Sequence, residues 1–313
     1  MPELLYLSRT DVESLLDLDA LGEALAEALA ALSQGRASVP PRVAALTPTG
    51  LLAVMPGYVA GTGLAVKLVS VFPGNDGHGL PSHQGLLAVF DEGIGTPLAV
   101  MEAGHVTALR TAATSALAAR LLARQDARIL AILGAGVQGI AHLEAVTRVR
   151  DFSEIRVASR DPAHAVAAAG RHPLGLVATS FEEAVRGADV VCCCTHSDRP
   201  VVARSWMGPG AHLSSVGSGV EVDGETLRAS RVFVEWRGAA TNPPPAGAAE
   251  LQGLDPQTLT ELGEVLAQSR PGRTSQEELT VYKSTGHAAE DAAAAALVYQ
   301  RALDSGAGTL LPL

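Results

Sequence analysis

Aromatic side chains are scarce in this chain, 4% of 313 residues, and cysteine is scarcer still, with three in all. Alanine and glycine are used heavily instead, which suits closely packed helices and sheets. The cysteines fall in one run, Asp189-Val-Val-Cys192-Cys193-Cys194-Thr195. Neighbours on a strand point to opposite faces, so this run cannot assemble a shared metal or redox site and reads as small core residues. Unpaired thiols, and a start with no basic leader before an apolar stretch, lead us to expect a cytoplasmic location. Runs of Lys and Arg are missing and the net charge is −10, which argues against nucleic acid or an anionic membrane surface as partners. No uninterrupted apolar span is long enough to cross a bilayer. Internal repeats and low-complexity linkers are absent too. With 47% hydrophobic and 18% charged residues the chain is globular, and its length allows two cores.

Thr10-Asp-Val-Glu13 predicts a capping box, followed by an amphipathic helix to about Ser33 that Gly35 stops. Residues 39–100 carry no helical period. Strand-like pieces at 51–55, 64–72, 85–90 and 97–101 predict a mostly β region. Residues 105–124 are rich in Ala and Leu and predict a helix. From Ala127 the pattern alternates strand and helix, with strands expected at 128–133, 154–158, 188–194, 211–216 and 231–235, as a parallel sheet with crossover helices requires. An Ala-rich helix is expected over 290–303. The expected fold is α/β, a Rossmann-type doubly wound parallel sheet inserted in a mixed α+β substrate and dimerisation domain. The boundaries expected are 1–123 with 284–313 for the latter and 124–283 for the former.

The most telling segment is Ile129-Leu-Ala-Ile-Leu-Gly134-Ala135-Gly136-Val137-Gln138-Gly139. A strand that runs into Gly-x-Gly-x-x-Gly and then a helix is built for a dinucleotide. The first glycine permits the turn, the second lets backbone approach the pyrophosphate, and the third lets helix and strand pack closely. The helix amino end adds free N–H groups and partial positive charge. The next strand, 154–158, ends in Ser159-Arg160-Asp161, where an NAD site usually places a carboxylate for the ribose. A hydroxyl and a guanidinium suit a 2′-phosphate better, so NADP(H) is expected over NAD(H), with Asp161 as the opposing signal. Lys67 interrupts the apolar strand Leu64-Ala-Val-Lys-Leu-Val-Ser-Val-Phe72. Burying a lysine is costly, so its place there points to a cleft or a partner, and a desolvated amine exchanges protons near neutrality.

From about Val39 onward the chain resembles the ornithine cyclodeaminase/mu-crystallin family. The resemblance rests on Met55-Pro-Gly-Tyr58, Lys67 to Asn75, Leu80-Pro-Ser-His-Gln84, Leu109-Arg-Thr-Ala-Ala-Thr-Ser-Ala-Leu117, Ile132 to Gln138, and Thr280-Val-Tyr-Lys-Ser284 with Glu290-Asp291. It implies a homodimer and chemistry at the Cα–N bond of small amino or imino acids. It also implies that Arg42 and Arg110 grip the substrate carboxylate, with Arg110 also close to cofactor phosphate. Lys67 is then a substrate ligand and the candidate proton donor. Ser82, His83 and Gln84 would line the nicotinamide end, and Thr195, Val216 and Ser284 would be further cofactor contacts, with His196 a weaker one. Glu290 and Asp291 open the last helix, where a role at the helix dipole is the favoured reading.

Two departures bear on activity. Where the cyclodeaminases carry a catalytic Asp after a late strand, this chain has Gly219, in Val216-Gly-Ser-Gly-Val-Glu221-Val-Asp223, and where they carry a Glu before the Met-Pro it has Ala53. Glu221 or Asp223 could compensate if the loop shifts. The expectation is therefore a cyclic ketimine reductase, with an ornithine or lysine cyclodeaminase, an alanine-dehydrogenase-like enzyme and a non-catalytic NADPH-binding crystallin as alternatives.

Overall fold

The computed structural model describes residues 3–217 and 219–313, the side chain of Asp76 excepted. Two compact units emerge, Met1–Arg110 with His287–Leu313, and Thr111–Gly286. The first division falls inside a helix and not at the end of it, because Ala103–Leu122 is one unbroken helix with no proline to interrupt it.

In the first unit the chain runs β1 (Glu3–Leu7), α1 (Arg9–Leu15), α2 (Leu18–Ser33), β2 (Ala37–Ser38), β3 (Val43–Thr47), β4 (Gly50–Val59), β5 (Gly63–Val71), β6 (His83–Phe90), β7 (Pro97–Glu102) and the start of α3 (Ala103–Leu122). The expected capping box lies two residues earlier than the sequence suggested: Asp11 N–H donates to Ser8 Oγ, and Ser8 N–H donates to Asp11 Oδ2 at 2.9 Å. The single helix expected to Ser33 is two. Asp17 ends the first by capping the second, accepting from Ala20 N–H at 3.0 Å. In α2, Leu18, Leu21, Leu25 and Leu29 recur on one face and are buried.

The sheet of this unit runs β16-β1-β7-β6-β5-β4-β2, with β3 also on β4; its last strand, β16 (Thr309–Pro312), comes from the chain's end. The strands β1 and β16 were not foreseen. Residues that pair across a sheet share a face. Met55, Lys67 and Leu87 form one such row, with Ala53, Val69 and Gly85 beside it. The long helix at the chain's end packs over this face. On the opposite face Val43, Leu52, Leu68 and Leu86 stay exposed.

In the second unit α3 leads into β8 (Ile129–Leu133), α4 (Val137–Val146), β9 (Glu154–Ala158), α5 (Pro162–Ala169), β10 (Gly175–Val177), α6 (Phe181–Val185), β11 (Val190–Cys193), β12 (His212–Ser215), α7 (Gly224–Ala229), β13 (Ser230–Val234), α8 (Gly238–Thr241), β14 (Thr260–Glu261), α9 (Leu262–Leu266) and β15 (Leu279–Lys283). The helix that then returns to the first unit is α10 (Ala288–Ser305). All neighbours in this sheet are parallel, in the order β10-β9-β8-β11-β12-β15-β13-β14. Strand order therefore reverses between β8 and β11, the point at which such sheets open a ligand crevice. The core beneath is small and apolar, including Leu133, Val191, Cys193, Leu213 and Val281. All three cysteines are free and buried, and burial pushes the Cys192 thiol up to about 12. They are core residues.

Candidate functional site

Within the first unit the three cations singled out above meet around the start of α10. Lys67 is 2% exposed, and its Nζ lies 2.8 Å from Asp291 Oδ1 and 2.7 Å from Oδ2. Arg110 donates from Nε to Asp291 Oδ1 at 3.0 Å and from Nη1 to Glu290 Oε2 at 2.8 Å. Arg42 is half-buried, and its charge is felt at Lys67, Asp291 and His287. Burial pushes Lys67 down to about 8, with Arg110 and Arg42 adding to the shift and Asp291 opposing it. Asp291 is held low despite its burial, because Arg110 and Lys67 favour its charge. Lys67 and Arg110 thus face Asp291 and Glu290, two cations on two carboxylates, with the Arg42 charge acting on the same group.

Glu290 and Asp291 therefore do more than complement a helix dipole. Glu290 does cap the helix, accepting from His287 N–H at 3.2 Å, but both side chains are buried against the cations. The signal was present, since two adjacent carboxylates open a helix of almost nothing but alanine. His287, which the sequence reading passed over, belongs here as well. It is the N-cap residue of α10, and burial beside Arg42 and Arg110 pushes it down to about 3. Its imidazole is neutral at working pH.

Ser82 and His83 touch each other, Oγ to Nδ1 at 3.0 Å. His83 pairs with Val71 and so shares the face of Lys67. Gln84, expected beside them, is exposed on the opposite face, because successive strand residues alternate.

In the second unit β8 turns into α4 as its glycines require. Gly134 has φ +98°, and a Cβ there would meet Cys194 O at 2.5 Å. A Cβ on Gly139 would meet Gly134 O at 1.9 Å, so only glycine lets the helix lie this close. Around Gly136 nothing lies within 4 Å, and no side chain caps α4. Ala135 is buried, Val137 is exposed, and Gln138 Oε1 is buried without a hydrogen-bond partner. An open cradle of backbone N–H groups at the start of a helix fits a dinucleotide pyrophosphate.

At the end of β9, Ser159 is half-buried and Arg160 exposed. Asp161 caps α5, accepting from Ala163 N–H through Oδ1 at 2.9 Å. Thr195 donates from both its amide and its hydroxyl to Glu221 Oε1, each at 2.7 Å. Val216 is half-buried and donates its N–H to Cys193 O, while Ser284 is buried with its hydroxyl on Glu235. His196 is exposed.

Neither acid that could replace the missing cyclodeaminase carboxylate is available. Glu221 Oε2 accepts from Ser215 Oγ and Gly217 N–H at 2.7 and 2.8 Å, so together with Thr195 both its oxygens are held. Asp223 caps α7 through Thr226 N–H and accepts from Arg204 N–H. Gly219 itself has no room, since a Cβ there would lie 1.9 Å from Ser197 O. Ala53 sits buried on the face of Lys67, two residues from Met55, and leaves that position apolar.

The profile of the ornithine cyclodeaminase/mu-crystallin family matches residues 3–306. The mu-crystallin ketimine reductase of Mus musculus is 40% identical over 256 residues, 80% of each chain. Among solved structures, Δ1-pyrroline-2-carboxylate reductase of Thermococcus litoralis, in complex with NADH and L-proline, superposes with a TM-score of 0.92. It is 34% identical and covers 98% of this chain and 99% of its own. An archaeal alanine dehydrogenase dimer with bound NAD gives 0.89 at 32% identity over the full length of both. The distributed motifs, the doubly wound unit and these full-length likenesses agree: the chain belongs to the ornithine cyclodeaminase/mu-crystallin family and is an enzyme of it.

Proposed function

We propose that this enzyme reduces small cyclic ketimines bearing a carboxylate, such as Δ1-pyrroline-2-carboxylate or Δ1-piperideine-2-carboxylate, with NADPH as its preferred reductant. The observation that carries the reading is that, among the described residues after the late strand, Glu221 and Asp223 are both occupied and Gly219 is sterically closed. A cyclodeaminase needs a free acid to process a second amine; reduction of an imine does not. A dihydronicotinamide, when bound, would supply the hydride that the ring carbon takes. Arg42 and Arg110 pair with the substrate carboxylate, and Glu290 and Asp291 fix the Arg110 guanidinium in one orientation for that grip. Lys67, protonated and held by Asp291, gives its proton to the imine nitrogen, so that carbon and nitrogen each gain one hydrogen. Likeness to an alanine dehydrogenase favours a second reading, in which the imine is open-chain.

Incubation with NADPH and Δ1-pyrroline-2-carboxylate should consume NADPH, and ornithine with catalytic NAD⁺ should release no ammonia. Ammonia from ornithine without net cofactor change would replace the reading with cyclodeamination. Turnover only with pyruvate and ammonia would favour the open-chain imine. Inertness towards all three, with NADPH bound, would make the chain a binding protein.

Ser159 and Arg160 support the choice of NADPH, while Asp161 gives one carboxylate oxygen to capping α5. Arg160→Ala should weaken NADPH by about ten- to a hundredfold, the worth of one charge-assisted hydrogen bond, and NADH by less than about threefold. Equal losses, measured by titration of intrinsic fluorescence, would refute a 2′-phosphate contact. For assembly we infer a homodimer. The exposed row Val43, Leu68 and Leu86, with Leu52 beside it, supports a second copy as its cover, as does the dimeric alanine dehydrogenase. No described helix is long and apolar enough to cross a membrane.

A further inference from the structure

Three buried charges lie under the carboxyl ends of β11, β12 and β15, and the chemistry above uses none of them. The side chains of Glu221, Glu250 and Lys283 are buried. Lys283 Nζ lies 2.9 Å from Glu250 Oε1, 2.9 Å from Ser215 Oγ and 2.7 Å from Gly217 O, so its three N–H groups meet three acceptors. Glu250 Oε2 accepts from the N–H groups of Glu221 and Val222 at 2.7 and 3.1 Å. The Glu221 carboxylate accepts from Thr195 N–H, Thr195 Oγ, Ser215 Oγ and Gly217 N–H. Every group around the two carboxylates donates, which suits ionised acids, and every group around Lys283 accepts. Two negative charges thus stand against one positive.

Position gives this excess charge a meaning. Thr195 follows β11, Gly217 follows β12, and Lys283 closes β15. The Gly134 turn would hold a pyrophosphate at the end of β8, with Ser159-Arg160 at the end of β9 on the adenosine side. The other half of a dinucleotide then runs over the ends of β11 and β12. A nicotinamide ring is positive when oxidised and neutral when reduced.

We propose that the Glu221–Glu250–Lys283 network is the electrostatic floor of the nicotinamide half-site. It holds Thr195 and the Gly217 turn in place, and its one uncompensated negative charge favours the oxidised ring over the reduced one. Glu221 is on this account a positioning residue with a redox consequence. The proposal rests on reading this unit as a dinucleotide site.

The test is to measure Kd for NADP⁺ by calorimetry and for NADPH by fluorescence, and to take their ratio, oxidised over reduced. Glu221→Gln should raise the ratio on the order of tenfold, the effect of one charge across roughly 10 Å at an effective dielectric of about 20. Lys283→Met, which adds to the excess, should lower it by a similar factor. Glu250→Gln removes charge at a second place and must move the ratio as Glu221→Gln does; it serves as the check if Lys283→Met does not fold. A purely structural network would weaken both forms together and leave the ratio unchanged, which would overturn the proposal. Wild-type protein that binds neither form would overturn the dinucleotide reading itself.

Discussion

Lys67→Ala is expected to lower kcat/KM for the cyclic ketimine by about 10²–10⁴-fold, the usual worth of a positioned general acid, while the Kd for NADPH moves less than about twofold. The amine is buried on the sheet face beneath α10 and paired with Asp291, inside the first unit, whereas the glycine turn and Arg160 belong to the second. Lys67→Arg should not rescue, because a guanidinium stays protonated throughout the accessible pH range and cannot pass its proton on. The pH dependence gives the sign. Burial pushes Lys67 down to about 8, so the ammonium needed for reduction is present below that value and lost above it. Reductive kcat/KM should therefore fall as pH rises through about 8, and the reverse oxidation of the cyclic amino acid, which needs the free amine, should rise through the same point. Profiles of both directions, with NADPH affinity measured alongside, check this. A collapse of NADPH affinity in Lys67→Ala would move Lys67 into the cofactor site.

Much of this was legible in the sequence, for identifiable reasons. The strand-to-glycine turn at Leu133–Gly139 is written in residue types that only one backbone geometry explains, and the structure places Gly134 and Gly139 where a Cβ would collide. Lys67 announced itself as a charge within an apolar strand. The strands β1 and β16 were not legible, because a short run such as Glu3–Leu7 takes its partners from β7 and from the chain's last strand, and local pattern carries no trace of those pairings. The capping box at Ser8 was missed because Thr10 and Glu13 offered the same spacing two residues on. Glu290 and Asp291 were read as dipole partners, since a carboxylate in a helix's first turn has that ordinary explanation. Only the tertiary pairing with Lys67 and Arg110 gives them another. The Glu221 network was invisible for the same reason: Glu250 meets Glu221 and Lys283 from a short 3-10 helix between α8 and β14, and nothing local to Ala248-Ala-Glu250 suggests it.

Asp291→Asn should be the most damaging single change to stability. The carboxylate bridges two buried cations, at 2.8 Å from Lys67 Nζ and 3.0 Å from Arg110 Nε. Removing one partner of a buried pair leaves a charge without compensation, at a cost of about 3–5 kcal/mol, and here two cations lose their shared anion. Urea unfolding should register that loss. Lys67→Met with Asp291→Leu should recover part of it, since the lysine and aspartate charges are no longer desolvated while Arg110 keeps Glu290, although that variant should lack reductase activity. The pH profile adds a readout that packing alone would not move. Asp291 is the group that opposes the desolvation of Lys67, so without it the amine must titrate still lower, and the alkaline limb of reductive kcat/KM should shift below 8 in Asp291→Asn. Glu290→Gln is the matched comparison. Glu290 pairs with Arg110 and caps α10 but is not among the groups that shift Lys67, so its loss should destabilise the protein while leaving the limb in place. If the limb stays put in Asp291→Asn, or moves upward, then Asp291 is not what keeps the lysine charged, and the proton must come from elsewhere.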